Sequence, residues 1–90
     1  MRLIRIRVRY AGLLAEIVGK SYEYVEVPEG TSVEALVEEL SRRHVNFKKW
    51  LEMLPLLHVF VNNVEITGSK SYRLQDGEEV VLMPSLYEGG

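Results

Sequence analysis

The sequence ends in two glycines, Gly89 and Gly90, after the segment MPSLYE. Glycine adds no side-chain packing and is costly to order. Two interpretations follow: the glycines are idle, or they present the terminal carboxylate on a thin, bendable stalk. A terminal carboxylate has a pKa of roughly 3.5 and is ionised at neutral pH, which makes it a poor electrophile. Chemistry at Gly90 would therefore need a partner that activates this group.

Side chains suited to catalysis are scarce in the rest of the chain. Cysteine is absent, which excludes a disulfide framework, a thiolate nucleophile and a cysteine-based metal site. The two histidines, His44 and His58, are too few for a structural zinc site. The serines and carboxylates show no catalytic spacing, and no glycine-rich phosphate loop is present. We expect no side-chain catalyst, no metal and no bound cofactor.

Length and charge limit the organisation and the partners. A chain of 90 residues predicts one domain, 1–90, with a modest core and a flexible tail over 84–90. The net charge of -2 argues against a nucleic-acid partner. The N-terminus lacks the apolar region of a signal peptide, and no apolar run has the length of a membrane span. We expect a cytoplasmic protein with no membrane partner.

The first third of the chain predicts two strands with a short helix between them. RLIRIRVRY alternates apolar residues with Arg5, Arg7 and Arg9, so the three arginines share one face. AGLLAEIVGK predicts one or two helical turns that end at Gly19. SYEYVEVPEG predicts the second strand, because it is rich in β-branched and aromatic residues.

The middle of the chain predicts the main helix in TSVEALVEELSRRH. Thr31 and Glu34 have capping-box spacing, which predicts Thr31 as the N-cap. The apolar residues form one stripe at helical spacing, and His44 at the helix end would interact favourably with the helix dipole. The next segment, within 45–57, fits either a short amphipathic helix or a packed loop.

The last third predicts three strands. HVFVNNVEI indicates a strand, a tight turn at Asn62–Asn63 and a short strand. QDGEEVVLMP indicates a turn at Asp76–Gly77 and a final strand over 79–83, which Pro84 ends. The order of elements predicts an α+β fold with a mixed sheet packed on one main helix. It matches the β-grasp pattern, in which the first and last strands lie side by side and parallel at the sheet centre.

The final strand is apolar on both faces. Glu79 should face water, which places Val81 and Met83 on the same outer face and leaves Val80 and Leu82 toward the helix. A half-buried strand should instead alternate apolar with polar residues. The outer positions therefore need either a cover or a partner.

The outer apolar positions extend to Phe60, which should point outward beside His58. In one interpretation, the segment around Trp50 folds over these residues and covers them. In the other, they form an exposed patch for a partner, which Leu86 and Tyr87 would extend. The patch is favoured because it lies where the tail leaves the domain.

The arginine face would lie beside this patch if the first and last strands pair. Arg5, Arg7 and Arg9 are then either an ordinary solvated face or a basic rim that steers an acidic partner. An RNA-binding face would need exposed aromatic residues among the arginines. Tyr10 falls on the opposite face, so RNA binding gains little support.

Four segments, LLAEIVGK, GTSVEALVEEL, VFVNNVEI and LQDGEEVVLMP with the terminal glycines, together resemble the ubiquitin-like sulfur carriers. The chain looks most like the small subunit of molybdopterin synthase, the MoaD type, with the thiamine carrier, the ThiS type, second. It departs from the pattern in its length, through VNFKKWLEMLPLL, and in having Pro84–Ser85 where the family often has two prolines.

The resemblance implies a specific use of the terminus. In the family, an E1-like enzyme uses ATP and Mg²⁺ to adenylate the terminal carboxylate, and a sulfur donor converts the adenylate to a thiocarboxylate. Gly90 would carry the reacting group, and Gly89 would keep the stalk narrow. The partners implied are the E1-like enzyme and the large subunit of molybdopterin synthase, to which this chain would donate sulfur as the small subunit. They would dock at the outer apolar residues and the arginine rim.

Two alternatives use the same fold differently. The chain could be a ubiquitin-like modifier joined to protein lysines, or a carrier for tRNA thiolation or thiamine. It could also be a plain β-grasp interaction domain whose glycines do no chemistry.

Overall fold

The computed structural model describes residues 1–53 and 57–85, which form one five-stranded sheet and three helices. The sheet and the helices share one hydrophobic core. Within the part described, no helix is long and apolar enough to cross a membrane. The elements in chain order are β1 (Leu3–Tyr10), α1 (Leu13–Val18), β2 (Tyr22–Pro28), α2 (Val33–Arg43), α3 (Val45–Met53), β3 (Leu57–Val61), β4 (Val64–Glu65) and β5 (Glu79–Pro84).

The sheet has the strand order β2-β1-β5-β3-β4, with β1 and β5 parallel at its centre. β2 pairs antiparallel with β1, β3 pairs antiparallel with β5, and β4 completes the edge beside β3. The predicted β-grasp arrangement is confirmed. The segment whose structure the sequence left open is helical over Val45–Met53.

Alternation along the central strands separates the core from the outer face. Residues at even positions of β1 are buried, and the arginines at odd positions point outward. β5 does the same, because Val80 and Leu82 are fully buried while Val81 and Met83 face out. The helices cover the inner face with Val33, Leu36 and Leu40 of α2 and with Phe47 and Trp50 of α3.

A predicted turn and a predicted helix end are confirmed by their backbone angles. Asn62 and Asn63 have φ of 48° and 70°, a left-handed conformation that asparagine tolerates better than most residues. The Asn62 Oδ1 atom also accepts the Glu79 N–H at 3.0 Å, which joins the turn to the start of β5. Gly19 ends α1 with φ of 90°, and its N–H donates to the Ala15 carbonyl at 2.9 Å.

The N-cap of α2 differs from the prediction, which placed it at Thr31. The cap is Ser32, whose Oγ accepts the Ala35 N–H at 3.1 Å. The Thr31 hydroxyl instead donates to the Pro28 carbonyl at 2.6 Å. It is therefore used by the turn that leads into the helix, and the next hydroxyl along the chain caps α2.

The final strand extends one residue further than predicted, because Pro84 is a buried residue of β5 and lies opposite Leu57. The prediction that placed Pro84 in a flexible tail over 84–90 is therefore wrong for this residue. β1 pairs with β5 no further than Leu82, so Pro84 is at an edge position on that side. Proline is tolerated at an edge position because no ladder hydrogen bond there requires the N–H that proline lacks. The remaining tail residues named in the sequence analysis, Leu86, Tyr87, Gly89 and Gly90, lie outside the described residues.

Candidate functional site

The outer face of the sheet brings together three of the predicted partner-binding residues. Phe60 of β3 lies directly opposite Val81 of β5, and His58 lies opposite Met83. Met83 is 40% exposed, and Phe60 and Val81 are half-buried. We call Phe60, Val81 and Met83 the apolar patch.

Helix α3 leaves the apolar patch open, so the interpretation that the Trp50 segment covers it is wrong for residues 45–53. Phe47 and Trp50 point into the core on the other side of the sheet, with their rings stacked at a centroid distance of 6.5 Å. α3 packs on α1 and α2. Residues 54–56 lie outside the described part of the chain.

His58 lies at the edge of the patch in a fixed orientation. Its Nδ1 is 2.7 Å from the Glu65 Oε2 atom, which also accepts the Thr67 hydroxyl at 2.7 Å. An ionised carboxylate can only accept hydrogen bonds, so His58 donates through Nδ1. The bond from His58, followed by the bond from Thr67, lowers the pKa of Glu65 below its ordinary value. His58 thus lies on the outer face beside the apolar patch, as the sequence predicted, and Glu65 fixes the orientation of its ring.

The arginine face contains two exposed aromatic residues that the sequence analysis missed. The Arg5 guanidinium carbon is 4.3 Å from the centroid of the Tyr24 ring, and the Arg7 guanidinium carbon is 4.9 Å from that of Tyr22. The two rings meet edge to face with centroids 6.1 Å apart, and each residue is about half exposed. We call Arg5, Arg7, Tyr22 and Tyr24 the Arg–Tyr strip.

The strand register explains the Arg–Tyr strip. Arg7 is paired with Tyr24, and Arg9 is paired with Tyr22. Arg5 and Arg7 each lean over a diagonal neighbour on β2, at a distance that long side chains can reach. The sequence did indicate that Tyr22 and Tyr24 share one face of β2, because they are two residues apart on a predicted strand. Their position beside the arginines depends on how β2 pairs with β1.

The arginine face lies beside the apolar patch, as predicted from the pairing of the first and last strands. Arg7 lies opposite Glu79, with its Nε 3.6 Å from the Glu79 Oε2 atom. Arg9 lies opposite Val81. The outer face is therefore basic and aromatic on β1 and β2, and apolar on β5 and β3.

A second polar cluster joins β1, β2 and the end of α2. The Glu23 Oε2 atom accepts the Tyr10 hydroxyl at 2.5 Å and the His44 Nε2–H at 2.6 Å. His44 does lie at the helix end, and its side chain pairs with Glu23. Burial alone would raise the pKa of Glu23, but the hydrogen bonds from Tyr10 and His44 outweigh it and hold that pKa below 4.5. Burial, followed by the bond to Glu23, raises the pKa of Tyr10.

A groove of about 240 Å³ lies between α2 and β3. Its floor is apolar, with Val37 and Val59 among its residues, and Glu34, Glu38 and Lys70 also line it. Among the residues that the structure describes, no group of three or more histidine or acidic side chains could hold a metal ion.

Comparison with known proteins places these features in a family. The model of the ThiS family matches residues 8–87. A search of the curated proteins finds no match.

Solved structures share the fold over nearly the whole chain. A Pyrococcus furiosus protein described as molybdopterin converting factor, subunit 1 superposes with a TM-score of 0.78 at 28% identity, covering 92% of this chain and 99% of that one. Small archaeal modifier protein 1 of Haloferax volcanii gives a TM-score of 0.77 at 16% identity, with coverage of 92% and 99%. A chain from the complex of subunits 1 and 2 of the Helicobacter pylori molybdopterin-converting factor gives 0.66 at 17% identity, with coverage of 96% and 100%.

Proposed function

The chain belongs to the ThiS family, and from that premise we propose that it is a sulfur carrier that donates sulfur in molybdopterin biosynthesis. The observation that carries the proposal is the family match over residues 8–87. The β-grasp sheet with parallel central strands and an exposed outer face supports it. The reacting group is the carboxylate of Gly90, with Gly89 as the other residue of the narrow stalk.

The proposed chemistry takes place on the carboxylate and requires a partner to hold ATP and Mg²⁺. An E1-like enzyme aligns the Gly90 carboxylate oxygen with the α-phosphate of ATP, and pyrophosphate leaves as the acyl-adenylate forms. A sulfur nucleophile then attacks the activated carbonyl carbon and expels AMP, which leaves a thiocarboxylate. The thiocarboxylate sulfur attacks the acceptor and displaces a leaving group from it. Water then hydrolyses the resulting thioester at its acyl C–S bond, which leaves the sulfur on the acceptor and restores the Gly90 carboxylate.

This chain contributes the docking surface and the point of attachment of the stalk. β5 is hydrogen-bonded on both sides up to Leu82, so the chain leaves the sheet from a fixed position. The apolar patch lies on that strand and its neighbour β3, where a partner that binds it would also be close to the start of the tail. Arg5, Arg7 and Arg9 form the basic rim of this surface.

The molybdopterin assignment is supported by the Pyrococcus furiosus protein, which is 28% identical to this chain. The Helicobacter pylori structure is a complex of subunits 1 and 2, and the chain similar to this one therefore binds a partner. We propose that this chain binds a large subunit of molybdopterin synthase and an E1-like enzyme through its outer face.

A ubiquitin-like modifier is the alternative function. The similarity to a small archaeal modifier protein establishes the shared fold at 16% identity. The same adenylate would lead to an isopeptide bond if a lysine amine attacked in place of sulfide. Protein conjugates that survive reducing gel conditions would favour this alternative.

Intact mass spectrometry tests the sulfur-carrier proposal. The protein is incubated with ATP, Mg²⁺, a sulfur source and the host's E1-like enzyme, and we expect a gain in mass equal to one oxygen replaced by sulfur. Gly90→Ala, or one residue added after Gly90, should abolish the gain. Gly68→Ala is the matched control, because Gly68 is exposed and an added Cβ would meet nothing within 4 Å. An unchanged mass with an enzyme active on a control substrate would overturn the proposal.

A further inference from the structure

We infer that the Arg–Tyr strip is a binding site for an acidic protein segment in extended conformation, one whose carboxylates alternate along the chain. The inference is argued from the geometry of β1 and β2 and from the charges around them, and it does not require the sulfur chemistry. It concerns a different part of the outer face from the apolar patch, which lies on β5 and β3.

The guanidinium groups of Arg5 and Arg7 are held in place before any ligand arrives. Each lies over a tyrosine ring, at 4.3 Å and 4.9 Å from the ring centroid. A guanidinium stacked on a ring keeps its N–H donors at the edge of its plane, where a carboxylate can accept two parallel hydrogen bonds. Because the tyrosines already restrict both side chains, less rotamer freedom is lost on binding.

The spacing of the strip fits an extended peptide. Arg5 and Arg7 are two residues apart on β1, which places their Cα atoms about 6.7 Å apart. Alternate side chains of an extended peptide have the same repeat. A peptide that lies along β1 can therefore present one carboxylate to each arginine, and Arg9 continues the row.

The charges around the strip favour protein over nucleic acid. Glu26 lies opposite Arg5 on β2, Glu79 lies opposite Arg7 on β5, and the whole chain has a net charge of -2. These carboxylates would repel a continuous phosphate backbone, whereas a peptide can place its acidic residues selectively. One face of each tyrosine ring is already covered by an arginine, which reduces the surface on which a base could stack.

Fluorescence anisotropy with a labelled peptide tests the inference. The probe is a short peptide that alternates glutamate with threonine, the control probe has glutamine in place of glutamate, and the protein is the full chain at low ionic strength. We expect binding of the glutamate peptide, at least tenfold weaker binding of the glutamine peptide, and weakening as salt is added. A labelled oligouridylate serves as the nucleic-acid probe and should bind more weakly than the glutamate peptide.

Three double variants test the residues. Arg5→Gln/Arg7→Gln should weaken binding of the glutamate peptide by about tenfold, and Lys48→Gln/Lys49→Gln, which removes the same charge from exposed positions of α3, should leave it unchanged. Arg5→Lys/Arg7→Lys keeps the charge but loses the planar guanidinium, so it should weaken binding by about threefold or more.

Several results would overturn the inference. Equal binding of the glutamate and glutamine peptides would do so, as would equal losses in the arginine and lysine-to-glutamine double variants. Wild-type affinity in Arg5→Lys/Arg7→Lys would show that positive charge alone is sufficient for binding, which would contradict the role inferred for the stacked guanidinium groups. Tighter binding of oligouridylate would assign the strip to nucleic acid instead. Urea midpoints of all variants, measured beside the wild type, identify any loss caused by unfolding.

Discussion

Replacing Glu23 with glutamine should destabilise the fold by about 2 kcal/mol at neutral pH, because one carboxylate oxygen connects three elements. The Glu23 Oε2 atom accepts the Tyr10 hydroxyl from β1 at 2.5 Å and the His44 Nε2–H from the end of α2 at 2.6 Å. The side chains of Glu23 and His44 are each only 15% exposed, so water replaces these bonds poorly.

The magnitude follows from the two hydrogen bonds. A bond to a charged group contributes about 1.5–3 kcal/mol, roughly twice the value for a neutral pair. Glutamine keeps an amide oxygen that can accept, so Glu23→Gln loses about half of the combined contribution, or about 2 kcal/mol. The Lys20 ammonium, at 3.8 Å and half exposed, adds only a few tenths of a kcal/mol. For a domain of this size the midpoint of thermal unfolding should fall by roughly 10 °C.

The effect should depend on pH in a defined direction. The pKa of Glu23 is below 4.5 in the folded protein, so its charged form is favoured by folding. The stabilisation that ionised Glu23 gives to the fold is fully present above the pKa of Glu23 in the unfolded chain, about 4.5. It is lost as the pH falls through the lower pKa of Glu23 in the folded protein. The difference in unfolding free energy between the wild type and Glu23→Gln should therefore narrow below about pH 4.5.

Urea denaturation followed by tryptophan fluorescence measures this difference. Trp50 is the single tryptophan and is buried, so its emission reports on the core. Glu26→Gln is the matched control, since Glu26 is exposed on the same strand and its replacement should change stability by less than about 0.5 kcal/mol. Equal stability of Glu23→Gln and wild type at pH 7, or a difference that persists unchanged at pH 3, would refute the reasoning.

Substitutions at three further positions have defined outcomes. Ser32→Ala should lower the free energy of unfolding in urea by about 1 kcal/mol, because it removes the cap on the Ala35 N–H, and an unchanged midpoint would show that the cap contributes nothing. Val81→Glu should change stability by no more than about 1 kcal/mol, because Val81 is half-buried opposite Arg9. The same variant should weaken binding of the large molybdopterin synthase subunit at least tenfold in calorimetry, and undiminished binding would contradict the docking site. Asn63→Val should lower the free energy of unfolding by about 1–2 kcal/mol, because φ at Asn63 is 70° and a β-branched residue is strained in this conformation. Asn63→Gly should not lower it, because glycine adopts positive φ readily. Equal urea midpoints for the two variants would argue against backbone strain at this position.

Many of the residues on the outer face could be predicted from the sequence, because side chains along a strand point to opposite faces of the sheet in turn. The positions of Val81 and Met83 on one side, and of Arg5, Arg7 and Arg9 beside them, follow from that repeat and from the parallel pairing of β1 with β5. The positions that define the apolar patch could therefore be predicted before any coordinates. What a partner does with them could not, because binding depends on a second molecule.

Two kinds of feature could not be predicted from local periodicity: the choice between adjacent residues that can form the same contact, and the register of one strand against another. Thr31 and Ser32 are adjacent hydroxyls that could each cap α2, and the choice was made by the turn that takes the Thr31 hydroxyl. Tyr22 and Tyr24 alternate in the sequence, but their position over Arg5 and Arg7 depends on how β2 is registered against β1.

Helix α3 shows a third kind of difficulty. Its aromatic residues fit a helix that covers either face of the sheet, and the sequence could not say which. Phe47 packs edge to face against Tyr10, at a centroid distance of 6.4 Å, and is fully buried in the core. Phe47 and Trp50 join the core on the inner face of the sheet, where burial removes their rings from water.

β1 shows why residues that bind partners can change while the fold is kept. Its even positions fill the core, and its odd positions contribute the arginines of the outer face. A slip of one residue would exchange the two sets, so the register must be fixed by the buried residues. The outer residues are then free to change without altering the fold, provided that they remain compatible with a strand. The fold is retained in proteins only 16–28% identical to this one that have different names. We therefore expect differences in partner specificity among such proteins to lie on the outer faces of β1, β2, β3 and β5, and substitutions there to change binding more than stability.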